Sequence, residues 1–346
     1  MTLKIGLIGC GGIMHAHVEG WKKVAGRAEI VAMADISEAN ARTRMEQYGH
    51  EVAYYADYDD LLADKTIDAV DIALPHFMHR DSIVESAQAG KHLMTEKPLC
   101  LNLSEAADIA QAVKASGITM MAGHNQLFFP TVLKAKEMIM MGDIGQVYAV
   151  NTMDAGARRR GPGLDKSMWG QVAPRRQTWR SDPAKMGGGE LIDTGYHPAY
   201  RLLFLAGQMP VEVSATLGNY RIPMDEEDTA QLAVKFADGA MGSLFTSWAI
   251  AAPGCGPTLF SIQAEAGQLW GESAKLYYQP VGFQQPAVIE YPGWNYDRTF
   301  AAEIAHFVDA IEGGFEPLHS VQEATDTLRL ILAGYKSAQE GTVVKL

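Results

Sequence analysis

Across the first 125 residues, short unbroken apolar runs alternate with longer segments whose apolar residues recur at helical spacing. Residues 3–8, 30–34, 69–74, 92–95 and 118–122 read as strands. Residues 13–24, 38–48, 78–89 and 104–115 read as helices. Strands that are apolar on both faces need cover on both sides, which a parallel sheet flanked by helices provides. Right-handed crossovers then give a doubly wound α/β domain.

After about residue 145 the pattern changes. Residues 147–153, 211–217, 229–236, 241–248 and 259–264 predict longer strands, and Asp238-Gly239 marks a hairpin between two of them. The spacing predicts a mostly antiparallel open sheet, interrupted by one helix over 190–205 and followed by helices over 298–312 and 320–338. Val321, Ala324, Leu328, Ile331 and Tyr335 share one face of the last helix, which is expected to pack onto a domain. These patterns predict two domains, 1–125 and 126–346. The stretch 157–183 is long and rich in Gly, Pro and Arg, as functional or interface loops are.

Composition narrows the classes. The 346 residues carry a formal charge of −12, and 47% are hydrophobic, so the chain can build full cores. An acid excess of this size argues against a general nucleic-acid binder and against attraction to anionic membrane surfaces. Cys10, Cys100 and Cys255 are three scattered thiols with no C-x-x-C pair, so neither a disulfide framework nor a structural metal site is expected. With no long apolar segment, the expectation is a soluble cytoplasmic protein.

The candidate chemistry begins at Gly9-Cys10-Gly11-Gly12-Ile13-Met14, between the first strand and the first helix. Gly9 permits a tight turn, and Gly11 lets the backbone approach a pyrophosphate at the helix N-terminus. Met14 takes the third glycine position, so the turn also reads as an ordinary Gly-rich connection. Asp35 ends the second strand, where a carboxylate accepts from a ribose 2′-hydroxyl and repels a 2′-phosphate. The combination predicts dinucleotide binding with NAD favoured over NADP.

Thr95-Glu96-Lys97-Pro98 closes a predicted strand, at the end of the sheet where ligands bind. A Lys97 ammonium there could stabilise a developing alkoxide, or simply pair with Glu96. Pro98 restricts Lys97 to extended backbone and allows a cis bond. Further on, Gly187-Gly188-Gly189 precede Asp193 and His197, which are spaced i, i+4 on the predicted helix. A carboxylate beside an imidazole suits a general base, although a lone helical histidine is more often structural.

Taken together, the chain resembles the Gfo/Idh/MocA oxidoreductases over essentially its whole length. The carriers are Gly9 to Gly12 with His17, Ala73-Leu74-Pro75-His76 with His79, Ala89 to His92, Glu96-Lys97-Pro98, Gly123-His124-Asn125, and Asp182-Pro183 leading into Gly187 to His197. The resemblance implies an N-terminal Rossmann domain and a C-terminal α/β domain whose open sheet often mediates dimers or tetramers. It implies hydride transfer between nicotinamide and a secondary carbinol of a sugar or cyclitol. His197 would take the hydroxyl proton, Asp193 would orient it, and Lys97 would stabilise the alkoxide. Leu74, Pro75, His76, His79, Glu96 and Asn125 would line the cofactor groove, with Asn125 also reaching substrate. Tyr200 stands where many members carry an Asp three residues after the His.

Arg158, Arg159, Arg160, Arg175, Arg176 and Arg180 crowd the loop before that helix. They could grip an anionic sugar, with Arg158, Arg180 and the stacking Trp179 as substrate contacts, or form an intersubunit salt-bridge loop. Two rival functions stay open at this stage. One is an NAD-dependent glycoside hydrolase working by transient oxidation, elimination and re-reduction. The other is a non-catalytic NAD-binding regulator.

Overall fold

A computed structural model describes residues 2–156, 179–222, 224–250 and 258–346. The chain divides into two compact units, one of Met1–Phe128 with Asn295–Thr325, the other of Phe129–Trp294 with Asp326–Leu346.

In the first unit, β1 (Leu3–Ile8), β2 (Ala28–Ala34), β3 (Ala53–Tyr55), β4 (Ala69–Ile72), β5 (His92–Glu96) and β6 (Met120–Gly123) form a parallel sheet. Its order is β3-β2-β1-β4-β5-β6, as the alternating pattern predicts for a doubly wound domain. The strand order reverses between β1 and β4, so the loops after these two strands open a crevice at their carboxyl ends. Helices α1 (Met14–Lys23), α2 (Glu38–Tyr48), α3 (Tyr58–Ala63), α4 (His79–Gln88) and α5 (Leu103–Ser116) connect the strands.

The same unit contains α10 (Asp297–Gly313), far along the chain. Ile304, Phe307 and Val308 join Ile5, Leu7, Val18 and Trp21 in one buried cluster. Gly20 makes this packing possible, because a Cβ there would lie 3.2 Å from the Phe300 carbonyl oxygen.

The second unit holds α6 (Pro130–Met140) and strands β7 (Val147–Ala155), β8 (Pro210–Gly218), β9 (Thr229–Phe236), β10 (Met241–Ser247), β11 (Phe260–Ala264), β12 (Gly267–Gly271), β13 (Lys275–Pro280), β14 (Ala287–Glu290) and β15 (Val344–Lys345). Their order is β14-β13-β12-β11-β7-β10-β9-β8-β15, antiparallel except for the parallel β7–β10 pair. β9 alternates buried and exposed residues, the pattern of a sheet covered on one face.

The helix expected over 190–205 is two helices, α8 (Glu190–Asp193) and α9 (Tyr196–Ala206), separated at Thr194-Gly195. A Cβ on Gly195 would sit 2.6 Å from the Leu191 carbonyl oxygen, so the break needs a glycine. α9 lies against the sheet: Thr152 donates to the Pro198 carbonyl at 2.8 Å and buried Arg201 donates to the Met153 carbonyl at 2.7 Å. Helix α11 (Val321–Glu340) completes the elements, and α7 (Pro183–Met186) precedes the Gly187–Gly189 run.

Candidate functional site

The glycine turn follows β1 directly. Gly9 has φ +86°, and a Cβ there would lie 2.6 Å from the Ala73 carbonyl oxygen at the end of β4. Gly11 and Gly12 face open space. Helix α1 begins after Ile13 with no side-chain cap and no acidic residue in its first turn. Its first N–H groups and dipole therefore suit a pyrophosphate. Met14 is fully buried in the core cluster, so the side chain in the third glycine position fills the space behind the turn.

Asp35 is tied to this turn. One carboxylate oxygen accepts from the Cys10 N–H at 2.7 Å, the other from the Ser37 N–H at 2.8 Å. These bonds fix a carboxylate beside the phosphate-binding turn, as ribose recognition requires. Burial pushes the Cys10 thiol up to about 12, with Asp35 adding to the effect, so this cysteine is an inert part of the turn.

Leu74 and Pro75 follow β4 and are half-buried, whereas His76 is buried. His79 is fully buried, with Nδ1 2.6 Å from the Pro98 carbonyl oxygen and Nε2 2.9 Å from the Leu74 carbonyl oxygen. Burial holds His79 below the ordinary histidine range. With no exposed surface, its ring lies between the Leu74 and Pro98 carbonyls and, when neutral, donates to one of them. Asn125 is also buried, and its amide donates to Thr299 of α10 at 2.9 Å.

Lys97 stands just beyond β5, half-buried, and the Lys97–Pro98 peptide is cis. The Lys97 N–H donates to Glu96 Oε2 at 3.1 Å, and Glu96 Oε1 lies 3.1 Å from His17 Nε2. Burial, the largest single influence, opposes charge on Glu96, yet the bond to and charge of His17 together with Lys97 outweigh it and hold the carboxyl below its usual range.

In the second unit, Asp193 ends α8 and His197 is the second residue of α9. The i, i+4 pair therefore spans a helix break and does not lie on one continuous helical face. Asp193 is buried and accepts from Arg180 Nε at 3.2 Å. Arg180 stacks on Trp179, with its guanidinium carbon 4.1 Å from the ring centroid. Half-buried His197 places Nδ1 2.8 Å from the hydroxyl of fully buried Tyr200. Arg158, Arg159, Arg160, Arg175 and Arg176 lie outside the described residues.

The glycine run serves packing within this unit. Gly188 meets the Tyr335 hydroxyl and Gly189 meets the Glu227 carbonyl, each too closely for a Cβ. Tyr335 donates to Glu227 at 2.8 Å and accepts from the Gly189 N–H at 3.2 Å. Beneath it, burial drives the Glu190 carboxyl well above its ordinary range. Sequence reasoning missed Glu190, Tyr335, Trp21, Asp71 and Glu303. A charged Asp71 inside an otherwise apolar central strand was the signal available for that group.

Comparison with known proteins identifies the family and the fold. Residues 3–124 match the Gfo/Idh/MocA oxidoreductase-family model described as an NAD-binding Rossmann fold, and 132–270 match the family's C-terminal domain. An uncharacterized oxidoreductase of Streptococcus pneumoniae is 30% identical over 63% of this chain and 54% of its own length. The chain thus aligns with about half of that relative. The scyllo-inositol 2-dehydrogenase (NAD(+)) of Bacillus subtilis is 25% identical over 99% of this chain and 96% of its own. A levoglucosan dehydrogenase solved with NADH and levoglucosan superposes with a TM-score of 0.89, covering 100% of this chain and 99% of the other at 23% identity, a likeness of fold. With the N- and C-terminal family models falling in order along it, this chain belongs to the Gfo/Idh/MocA oxidoreductase family and carries its NAD-binding Rossmann domain.

Proposed function

We propose that the protein is an NAD-dependent dehydrogenase that moves a hydride between nicotinamide and a secondary hydroxyl of a sugar, sugar derivative or cyclitol. The observation that carries this is Lys97 at the carboxyl end of β5, in the unit whose glycine turn and Asp35 are built for a dinucleotide. The family's inositol dehydrogenase relative and sugar dehydrogenase structures support the substrate class.

When bound, nicotinamide supplies the two-electron acceptor at its C4. The chain's own residues then handle the proton and the charge. With Nδ1 held by Tyr200, the His197 ring works through Nε2 and takes the hydroxyl proton. Asp193, which accepts from Arg180, favours the imidazolium that results. Lys97 donates to the substrate oxygen as charge develops on it. Asn125 is set by Thr299 at the edge of the same groove, with Leu74, Pro75, His76 and Glu96.

NAD is preferred over NADP, because the Asp35 carboxylate would repel a 2′-phosphate. Arg180 and Trp179 form a stacked pair that suits a sugar ring and, together with Arg158, an anionic group on it. The cofactor domain is built on residues 1–125, with which 295–325 pack, and the substrate and assembly domain on the rest of 126–346. A homodimer or homotetramer built on the open sheet is expected. Buried thiols at Cys10 and Cys100 fit a cytoplasmic protein.

Lys97→Ala tests the mechanism. Turnover should fall by about a hundredfold or more, the usual loss for an electrostatic stabiliser, with NAD affinity within a few-fold of the parent. Unchanged turnover would remove Lys97 from the chemistry.

A further inference from the structure

The first unit contains a buried charged cluster. His17 on α1 is fully buried. Its Nδ1 lies 2.9 Å and 3.1 Å from the two carboxylate oxygens of Asp71 on β4. Its Nε2 lies 3.1 Å from Glu96 Oε1 at the end of β5. Asp71 has no exposure and also accepts from the Trp21 indole at 2.7 Å. Of the two carboxylates, only that of Glu96 reaches the surface, with its side chain 12% exposed. Its second oxygen accepts from the Lys97 N–H at 3.1 Å.

A carboxylate only accepts hydrogen bonds, so a ring placed between two of them must donate from both nitrogens. Such a ring is an imidazolium. Every group facing it agrees with that charge. From α10 come Phe300, whose ring centroid is 5.3 Å from that of His17, and Glu303. Glu303 is fully buried, its carboxyl oxygens make no well-formed hydrogen bond, and the His124 backbone is the polar group facing it. Burial pushes the Glu303 carboxyl well up, against the pull of His17, which disfavours a third negative charge there. Burial also opposes charge on His17, but Asp71 first and Glu96 next outweigh it and hold the ring well above the ordinary histidine range.

We propose that Asp71, His17 and Glu96 form a buried carboxylate–imidazolium–carboxylate relay that positions Lys97, with His17 as its central positioning residue. Asp71 and Trp21 fix the ring, the ring fixes the Glu96 carboxylate, and that carboxylate holds the Lys97 backbone. The relay keeps a negative charge beside the lysine and sets the point from which its side chain reaches the substrate oxygen. The proposal rests on the assignment of Lys97 made above.

Two measurements test it. In protein labelled with 15N-histidine and free of ligand, both His17 nitrogens should stay protonated at pH values above the ordinary histidine range. In Asp71→Asn, which keeps the shape but removes the charge, the ring should lose its proton within the ordinary histidine range. A neutral His17 ring at pH 7 in the parent protein would overturn the relay without any variant being needed. In a kinetic cycle, His17→Gln and Glu96→Gln should each lower kcat roughly tenfold or more, the scale of a charge-assisted hydrogen bond, with NAD affinity within about threefold. The double variant should be no slower than Glu96→Gln alone. Losses that multiply would mean that His17 does not act through Glu96. Unchanged turnover in Lys97→Ala would instead sink the dehydrogenase mechanism and leave the imidazolium result standing.

Discussion

Tyr200→Phe removes one oxygen atom and nothing else from the second unit. The hydroxyl bonds His197 Nδ1 at 2.8 Å, and Tyr200 has no exposure, so water cannot easily replace it. The ring packs edge-on against His197 at 5.6 Å and 87°, and against Tyr196 at 6.5 Å and 62°. Both contacts survive in phenylalanine. Stability should fall by only about 1 kcal/mol, the net value of one intramolecular hydrogen bond. Catalysis should suffer more, because the imidazole loses the partner that sets which nitrogen carries the proton. Once His197 has taken the proton its bond to Tyr200 is a bond to a charged group, worth about 1.5–3 kcal/mol, so kcat should fall roughly 10- to 150-fold. Steady-state NADH formation across pH, paired with a fluorescence titration of NAD, separates the two effects. The expected result is a lower kcat with NAD affinity unchanged. A kcat within twofold of the parent, together with a lowered melting temperature, would show that the hydroxyl only supports the fold.

Asp35→Asn keeps one oxygen for the Cys10 or Ser37 N–H but removes the charge. Discrimination against NADP, measured as a ratio of kcat/KM values, should drop about tenfold or more, and an unchanged ratio would place cofactor choice elsewhere. Acid should destabilise the protein through buried His319, which burial lowers from 6.5 to about 3. The unfolded chain then binds more protons than the folded one between those values, so stability is lost as pH falls below 6.5. At pH 5 the loss is about 2 kcal/mol, with His79, also lowered by burial, adding in the same direction. Urea midpoints at pH 7 and pH 5 should converge in His319→Asn relative to the parent, whereas an equal drop in both would clear His319.

Much of the fold was legible because continuous apolar strands and amphipathic helices differ so clearly in period. β1, β4 and β5 were found within two residues at either end. The three-residue β3 was not, because half-exposed Tyr54 and Tyr55 give it no apolar run. β14 was missed because all four of its residues are exposed, so no alternation marks it. The single helix over 190–205 was misread because the break at Thr194-Gly195 comes from a close backbone approach, which no periodicity records. The same limit applies to the candidate site. Asp35 and Lys97 could be read from their places at strand ends, and Tyr200 lies at i, i+3 from His197 on α9, whereas Arg180 on Asp193 and the Asp71–His17–Glu96 chain depend on contacts between residues far apart in sequence or across a break. The late α10 joins the first unit through Gly20 and Ile304, a match that became visible only once the helices packed.

The central claim is net hydride transfer from a carbinol to NAD. It is tested most directly by incubating the purified protein and NAD⁺ with a panel of cyclitols, neutral monosaccharides, anionic sugars and glycosides, following NADH and product together. The account predicts that a turning-over substrate yields NADH and the matching ketone in equal amounts, and that Lys97→Ala abolishes both. Release of free sugar from a glycoside without net NADH would contradict it and identify a hydrolase that only borrows the hydride.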